Sequence, residues 1–178
     1  MKINNTILIR DSEIGKYINQ CQLKTFDNIE YKYLWLGTYR LDYSNTAFNG
    51  WTDDAFKIKY KDVDAGFIRW YYDRDNESIS SVIIYLEPNF LNSGLGVISL
   101  VKFLDYIFIE RGIRKVTHTV CPENKRAFKI YNKCPASKLV GIHRREVKLW
   151  DNTYADLAEF DIMKEDYISF RKNSKLFR

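Results

Sequence analysis

The chain is poor in the residues that build metal centres and cross-linked scaffolds. Among its 178 residues are three cysteines and two histidines. Cys21, Cys121 and Cys134 are widely spaced and odd in number, which argues against a disulfide framework, and so few histidines give no zinc pattern. Reduced thiols and no metal are expected. Proline and glycine are also scarce, at 3 and 8 residues, which excludes collagen-like and low-complexity classes. Long apolar runs are missing as well. The opening stretch MKINNTILIRDSEIG has one short apolar run, Ile7-Leu8-Ile9, closed by Arg10 and Asp11, so neither a secretory signal nor a membrane span is expected there. The expected location is the cytoplasm.

What is present is aromatic and mildly basic. Hydrophobic residues make up 46%, aromatics 16% and charged residues 29%, a globular composition, and the length suits one well-buried core over residues 1–178. A net charge of +5 favours an anionic partner, whether nucleic acid, a membrane surface or a polyphosphorylated cofactor. Charge alone does not choose among them. The basic run SFRKNSKLFR at 169–178 reads as a solvated tail.

Periodicity orders the elements. Ile7 to Arg10 reads as a strand, and Asp11 or Ser12 as the N-cap of a helix whose Ile14, Tyr17, Ile18 and Cys21 share one face. The aromatic-rich stretch from Phe26 to Trp51 has no clear period, and its tyrosines and tryptophans suit either a core lid or a pocket wall. Ala55 to Lys61, Ala65 to Tyr72 and Ser81 to Leu86 read as an antiparallel meander. A helix after Gly96 carries Val97, Ile98, Leu100, Val101, Leu104, Ile107 and Phe108 at helical spacing and stops at Gly112. Lys115 to Val120 is a further strand, Asn124 to Lys133 a helix, and Leu139 to Arg145 and Ala158 to Lys164 two final strands. Together these give a single-domain mixed α/β sheet.

Two segments carry chemistry. In YLEPNFLNSGLGVISL, Gly94 and Gly96 stand where a strand becomes a helix. Bare backbone N–H groups at a helix N-terminus can converge on an anion, and absent side chains let a phosphate approach. A tight turn relieved by glycine explains the same residues. In VCPENKRAFKIYNK, Asn124, Ala127 and Tyr131 fall close to one helix face. An amide and a phenol joined by an alanine suggest a polar neighbour; an N-cap and a core aromatic are the plainer account.

The combination is similar to one known family. From about Ala65 to Tyr167 the chain resembles the GNAT superfamily of acyl-CoA-dependent N-acetyltransferases, and within it the Rim-type branch of ribosomal-protein and polyamine acetyltransferases. The family's Gln/Arg-x-x-Gly-x-Gly/Ala loop corresponds to Leu91-Asn92-Ser93-Gly94-Leu95-Gly96. Its Asn-x-x-Ala/Ser-x-x-x-Tyr-x-Lys segment corresponds to Asn124 through Lys133. FIERGIRKV and RREVKLWDNTYADLAEFDIMKEDY also look like this branch. Two departures stand out: Leu91 replaces the usual Gln or Arg, and CPASKLVGI replaces the Gly-Phe that commonly follows the lysine.

The resemblance implies a mostly antiparallel sheet whose central parallel strands splay apart, flanked by helices. Acetyl-CoA would lie between the Ser81 and Lys115 strands, its pantetheine arm near Leu86 and its pyrophosphate on the amides of Asn92, Ser93, Gly94, Leu95 and Gly96. Asn124 would hold the arm, Lys133 would reach a phosphate, and Tyr131 would serve the departing thiolate as general acid. Glu87 is the candidate base, acting through water, with a solvated strand-end carboxylate as its plainer reading. On the later strand His118 shares a face with two valines and reads as a packed histidine, leaving Thr119 toward the cleft. An amine acceptor would attack directly, without a cysteine intermediate, and residues 26–51 would bind it. A polyamine, amino sugar, aminoglycoside or protein N-terminus fits as acceptor. Neither membrane nor nucleic acid is an expected partner, a homodimer stays open, and a non-catalytic acyl-CoA or nucleic-acid-binding module is the competing class.

Overall fold

Apolar alternation and tight-turn chemistry draw the first half of the chain into a meander. The computed structural model describes residues 5–25, 28–34 and 53–173. β1 (Thr6–Ile9) leads into α1 (Ile14–Thr25) and a 3₁₀ turn at Ile29–Tyr31. β2 (Asp53–Tyr60) and β3 (Val63–Asp73) are joined through Lys61 and Asp62, both at positive φ, a pairing that matches the right-handed twist of a hairpin. β4 (Ser78–Leu86) completes the meander, and a 3₁₀ turn at Pro88–Phe90 leads to α2 (Leu95–Asp105). α2 widens into a π turn at Tyr106–Glu110, which ends at Gly112 in the left-handed region.

The second half is β5 (Lys115–Val120), α3 (Lys125–Lys133), β6 (Ser137–Lys148), β7 (Tyr154–Met163) and α4 (Lys164–Asn173). Together they make a seven-stranded sheet in the order β1-β2-β3-β4-β5-β7-β6. Only β4 and β5 run parallel. This is the mixed, mostly antiparallel sheet with central parallel strands that the family resemblance implies.

Strand alternation divides the core between the two faces. Ala55, Phe67 and Tyr85 pack with Ile14, Ile18 and Cys21 of α1. Their neighbours Phe56, Ile68 and Trp70 instead join Phe103, Phe108, Tyr131, Phe160 and Tyr167 of the larger core under α2, α3 and α4. Gly66 on β3 is required by contact: a Cβ there would lie 2.0 Å from the Tyr85 carbonyl.

Strand limits differ from the sequence reading mainly at turns. β4 begins at Ser78, three residues before the expected Ser81, and both β6 and β7 extend beyond their apolar centres. The expected basic tail is corrected. Residues 169–173 finish α4, where Arg171 forks onto Asp105 with both bonds at 2.9 Å and Tyr167 donates to the same carboxylate at 2.8 Å. Acidic Glu165 and Asp166 open that helix and basic Arg171 and Lys172 close it, as the helix dipole favours. Residues 174–178 lie outside the described residues.

Candidate active site

A bulge creates the site. On β4, Ser81 and Val82 stand opposite the single Trp70 of β3, with Ser81 at φ 52. An extra residue bends the strand that carries it and increases its twist. Accordingly, β4 pairs with β5 only at Ser78↔Lys115 and Ile79↔Val116, and the strands part beyond. The expected splay thus has a local cause that lies just past the last paired residue.

Register shows which groups face the opening. Glu87 donates its amide to the Ala65 carbonyl at 2.9 Å while Leu86 stands opposite Gly66, so Leu86 belongs to a non-hydrogen-bonded pair with β3. Its own N–H and C=O therefore point away from β3, toward the β5 side. Two residues back, Ile84 opposite Ile68 has the same orientation. The free edge of β4 thus offers a backbone ladder to an extended ligand.

The glycine loop continues from this edge. Ser93 donates its hydroxyl to the Phe90 carbonyl at 2.6 Å and accepts from the Leu95 amide at 3.2 Å. Asn92 at φ 60 and Gly94 at φ 83 both lie in the left-handed region, and Gly94 caps α2 without a side chain. The first amides of a helix have no intrahelical acceptor. Ser93 satisfies that of Leu95, while those of Gly96 and Val97 have no hydrogen-bond partner among the described residues. Leu95 is buried beneath the loop, and the nearest atom to a Cβ on Gly96 would be Leu86 Cδ1 at 3.6 Å. Leu86 to Gly96 thus form one continuous surface at the end of β4.

α3 supplies the other expected residues. Asn124 is its N-cap, with Oδ1 accepting the Ala127 amide at 3.3 Å. Tyr131 is buried, stacked on His118 at 3.9 Å and 5.9 Å from Phe160. Burial raises the pKa of its phenol, so the group stays protonated. Both plainer readings, cap and core aromatic, are therefore observed. Lys133 is exposed on the last turn, without an ion pair among the described residues, and is not brought to the glycine loop by any contact.

Glu87 lies on the opposite, α1 side. Its carboxylate accepts from the Cys21 thiol at 3.6 Å and lies 3.5 Å from Lys24 Nζ, with its side chain 18% exposed. It and Tyr131 belong to different faces of the sheet, and among the described residues no hydrogen bond or ion pair joins them. Cys21 and Cys121 are buried, and burial pushes each thiol up to about 12, so neither is a ready nucleophile. His118 is buried as expected, and desolvation lowers it to about 3. Thr119 is exposed, while Thr117 donates to Asp161 at 2.9 Å.

The sequence reading missed Tyr31, whose hydroxyl donates to the Leu86 carbonyl at 2.8 Å, and Arg126, which bonds Glu30. Only the crowding of aromatics in IEYKYLW pointed to that region. Of the expected acceptor-binding segment, 26–27 and 35–51 lie outside the described residues. Among the described residues no group of acidic, histidine or cysteine side chains could hold a metal. No helix among them is long and apolar enough to cross a membrane.

No protein-family model and no curated protein sequence matches the chain. Its fold is nonetheless similar to solved acetyltransferases. A spermidine N-acetyltransferase from Vibrio cholerae in complex with CoA and spermine superposes with a TM-score of 0.78 at 16% identity, over 93% of this chain and 99% of that one. A dodecameric structure of spermidine N-acetyltransferase from Vibrio cholerae, in an intermediate state, gives 0.77 at 14% identity over 96% and 99%. A probable acetyltransferase gives 0.73 at 14% identity over 92% and 96%.

Proposed function

We propose that the chain is an acyl-CoA-dependent N-acetyltransferase of the GNAT superfamily, of its Rim-type branch, moving an acetyl group from acetyl-CoA to a primary amine. One observation carries this reading: the edge of β4 turned away from β3 runs directly into a glycine-bearing helix N-terminus whose Gly96 and Val97 amides have no hydrogen-bond partner among the described residues. An extended arm with a diphosphate at one end requires those two features in that order. A solved structure of the same fold holds CoA and spermine, which adds support.

In this reading Ile84 and Leu86 offer backbone partners to the arm, and the amides around Asn92 to Gly96 receive the diphosphate. Asn124 borders the arm and Lys133 contributes positive charge. Acetyl-CoA supplies the activated acyl group, and the amine's nitrogen forms the new bond to the acyl carbon as the carbon–sulfur bond breaks. Glu87 accepts the amine's proton through water. Tyr131, held protonated by burial, donates to the departing sulfur. Because its phenol is a weaker acid than a thiol, hydrogen-bond stabilisation of the thiolate is its main contribution. The acceptor is a small-molecule amine, such as a polyamine, amino sugar or aminoglycoside, or a protein N-terminus.

Titration with acetyl-CoA in a calorimeter, followed by thiol release across a panel of amines, tests the reading. Binding and amine-dependent release are expected. Tight binding with no release from any amine would leave a non-catalytic acyl-CoA-binding module, and no binding would remove the reading altogether.

A further inference from the structure

The free β4 edge ends in an occupied group. Both polar groups of the Leu86 backbone face away from β3, yet its carbonyl receives a hydrogen bond from Tyr31, a residue 55 positions earlier in the chain. The contact is held in place from several directions. Tyr31 is 4% exposed, and its ring lies 5.4 Å from that of Tyr85, inclined by 32°. The turn that carries it is fixed to α3, where Arg126 Nη2 donates to the Glu30 carbonyl at 3.1 Å and carboxylate at 3.2 Å. On its other side Lys32 binds Asp151 in the β6–β7 connection at 2.5 Å. Tyr33 packs with the cluster around Cys121, just past β5. Residues 30–33 therefore reach from the end of β4 to α3 and to the end of β5, across the opening between the parallel strands.

We propose that Tyr31 is a positioning residue that closes the β4 edge at the Leu86 carbonyl, the outward-facing group nearest the glycine loop, so that an extended ligand arm leaving that loop pairs with the Leu86 amide and Ile84 in one register only. This rests on the acetyl-transfer reading. A ladder with free groups at successive outward-facing residues permits slippage by two residues, because register is weakly specified along a uniform edge. Capping the last carbonyl removes one of those registers. The arm is then anchored at the Leu86 amide and Ile84, which fixes how far along β4, toward the bulge at Ser81, its reacting end lies. The phenol is raised to about 12 by desolvation, so it remains the donor across the neutral range.

Tyr31→Phe in the full chain tests this, since it keeps the ring against Tyr85 and deletes only the hydroxyl. Amide hydrogen exchange with and without CoA, CoA affinity, kcat and melting temperature are measured on the same preparations. In the wild type CoA should slow exchange at Ile84 and Leu86. In the variant CoA affinity should stay within about threefold, the protection at Leu86 should weaken, and kcat should fall about tenfold or more, as expected for a misplaced reacting group. An active wild type paired with a variant of unchanged kcat and protection overturns the inference alone, even if the variant melts lower, because a merely structural tyrosine would move only stability. A wild type that neither binds CoA nor releases thiol overturns the acetyl-transfer reading, and this inference with it.

Discussion

The imidazole of His118 lies face to face with the ring of Tyr131, centroids 3.9 Å apart and planes 28° from parallel. β5 places this histidine between Val116 and Val120 on the core face, and α3 places the tyrosine above it. Nδ1 of the histidine is buried without a hydrogen-bond partner among the described residues. An imidazole held this way resists protonation, which links the candidate site to pH through stability.

The sign of that link follows from the depressed value of about 3. Between that value and the ordinary ~6.5, the unfolded chain binds a proton that the folded chain does not, so stability falls as pH drops through this window. The contribution is on the order of a few kcal/mol when complete. His118→Phe keeps an aromatic ring against Tyr131 and should flatten part of the acid loss. Melting temperatures of both proteins from pH 7 to pH 4 check this; parallel curves would mean that the imidazole is not held neutral by the fold.

Tyr131→Phe separates catalysis from packing. The ring is core, in contact with His118 and Phe160, and phenylalanine fills nearly the same space. If the hydroxyl serves the leaving sulfur, CoA affinity should hardly change while kcat falls about a hundredfold, equivalent to ~3 kcal/mol of transition-state stabilisation. A variant that is less stable by ~1–3 kcal/mol but turns over normally would make the tyrosine structural only.

Much of this arrangement is legible in the sequence where periodicity is strong. β5 falls on Lys115 to Val120 as read, and α3 begins after the Asn124 cap. The splay of the parallel strands follows from family resemblance, but its cause does not. Ser81 reads as an ordinary strand start because nothing in SSVIIYL announces a left-handed residue, and the bulge is defined only by pairing with β3. Tyr31 was invisible for a different reason. Its partner is a backbone carbonyl distant in sequence, and any one of several tyrosines could have reached it. Basic charge misled at 169–173, since Arg171 reads as tail until Asp105 is placed beside it.

That last contact predicts a stability effect away from the site. Asp105 accepts from Arg171 twice and from Tyr167 once, all among partly buried groups. Asp105→Ala removes the carboxylate that both Arg171 bonds reach and one of the two acceptors of the Tyr167 hydroxyl, the other being the Val101 carbonyl at 3.1 Å, and should cost roughly 1–3 kcal/mol, since hydrogen bonds to charged groups are the stronger ones. Chemical denaturation measures it. Asp105→Asn should recover part of the loss, whereas equal stability of all three proteins would return residues 169–173 to the status of a loose end.

The glycine loop allows the sharpest separation of fold from ligand. Gly94→Glu puts a carboxylate at the helix N-terminus, but Gly94 sits at φ 83, where any side chain strains the backbone by ~1–2 kcal/mol, so lost binding could reflect a disturbed loop. Gly96 is the cleaner position. It lies inside the first turn of α2, and a Cβ there meets only Leu86 Cδ1 at an ordinary 3.6 Å. A glutamate so near a helix N-terminus interacts favourably with the dipole, and loss of glycine's extra backbone freedom adds helix propensity, so Gly96→Glu should melt no lower than the wild type. The same carboxylate would repel a diphosphate from the unsatisfied amides, and acetyl-CoA affinity should drop by about a hundredfold or more, which is ~3 kcal/mol of binding free energy. Gly96→Ala, without charge, should lose much less. Calorimetric titration and thermal melting of the three proteins decide it: full acetyl-CoA affinity in a stably folded Gly96→Glu protein would take the diphosphate off this loop.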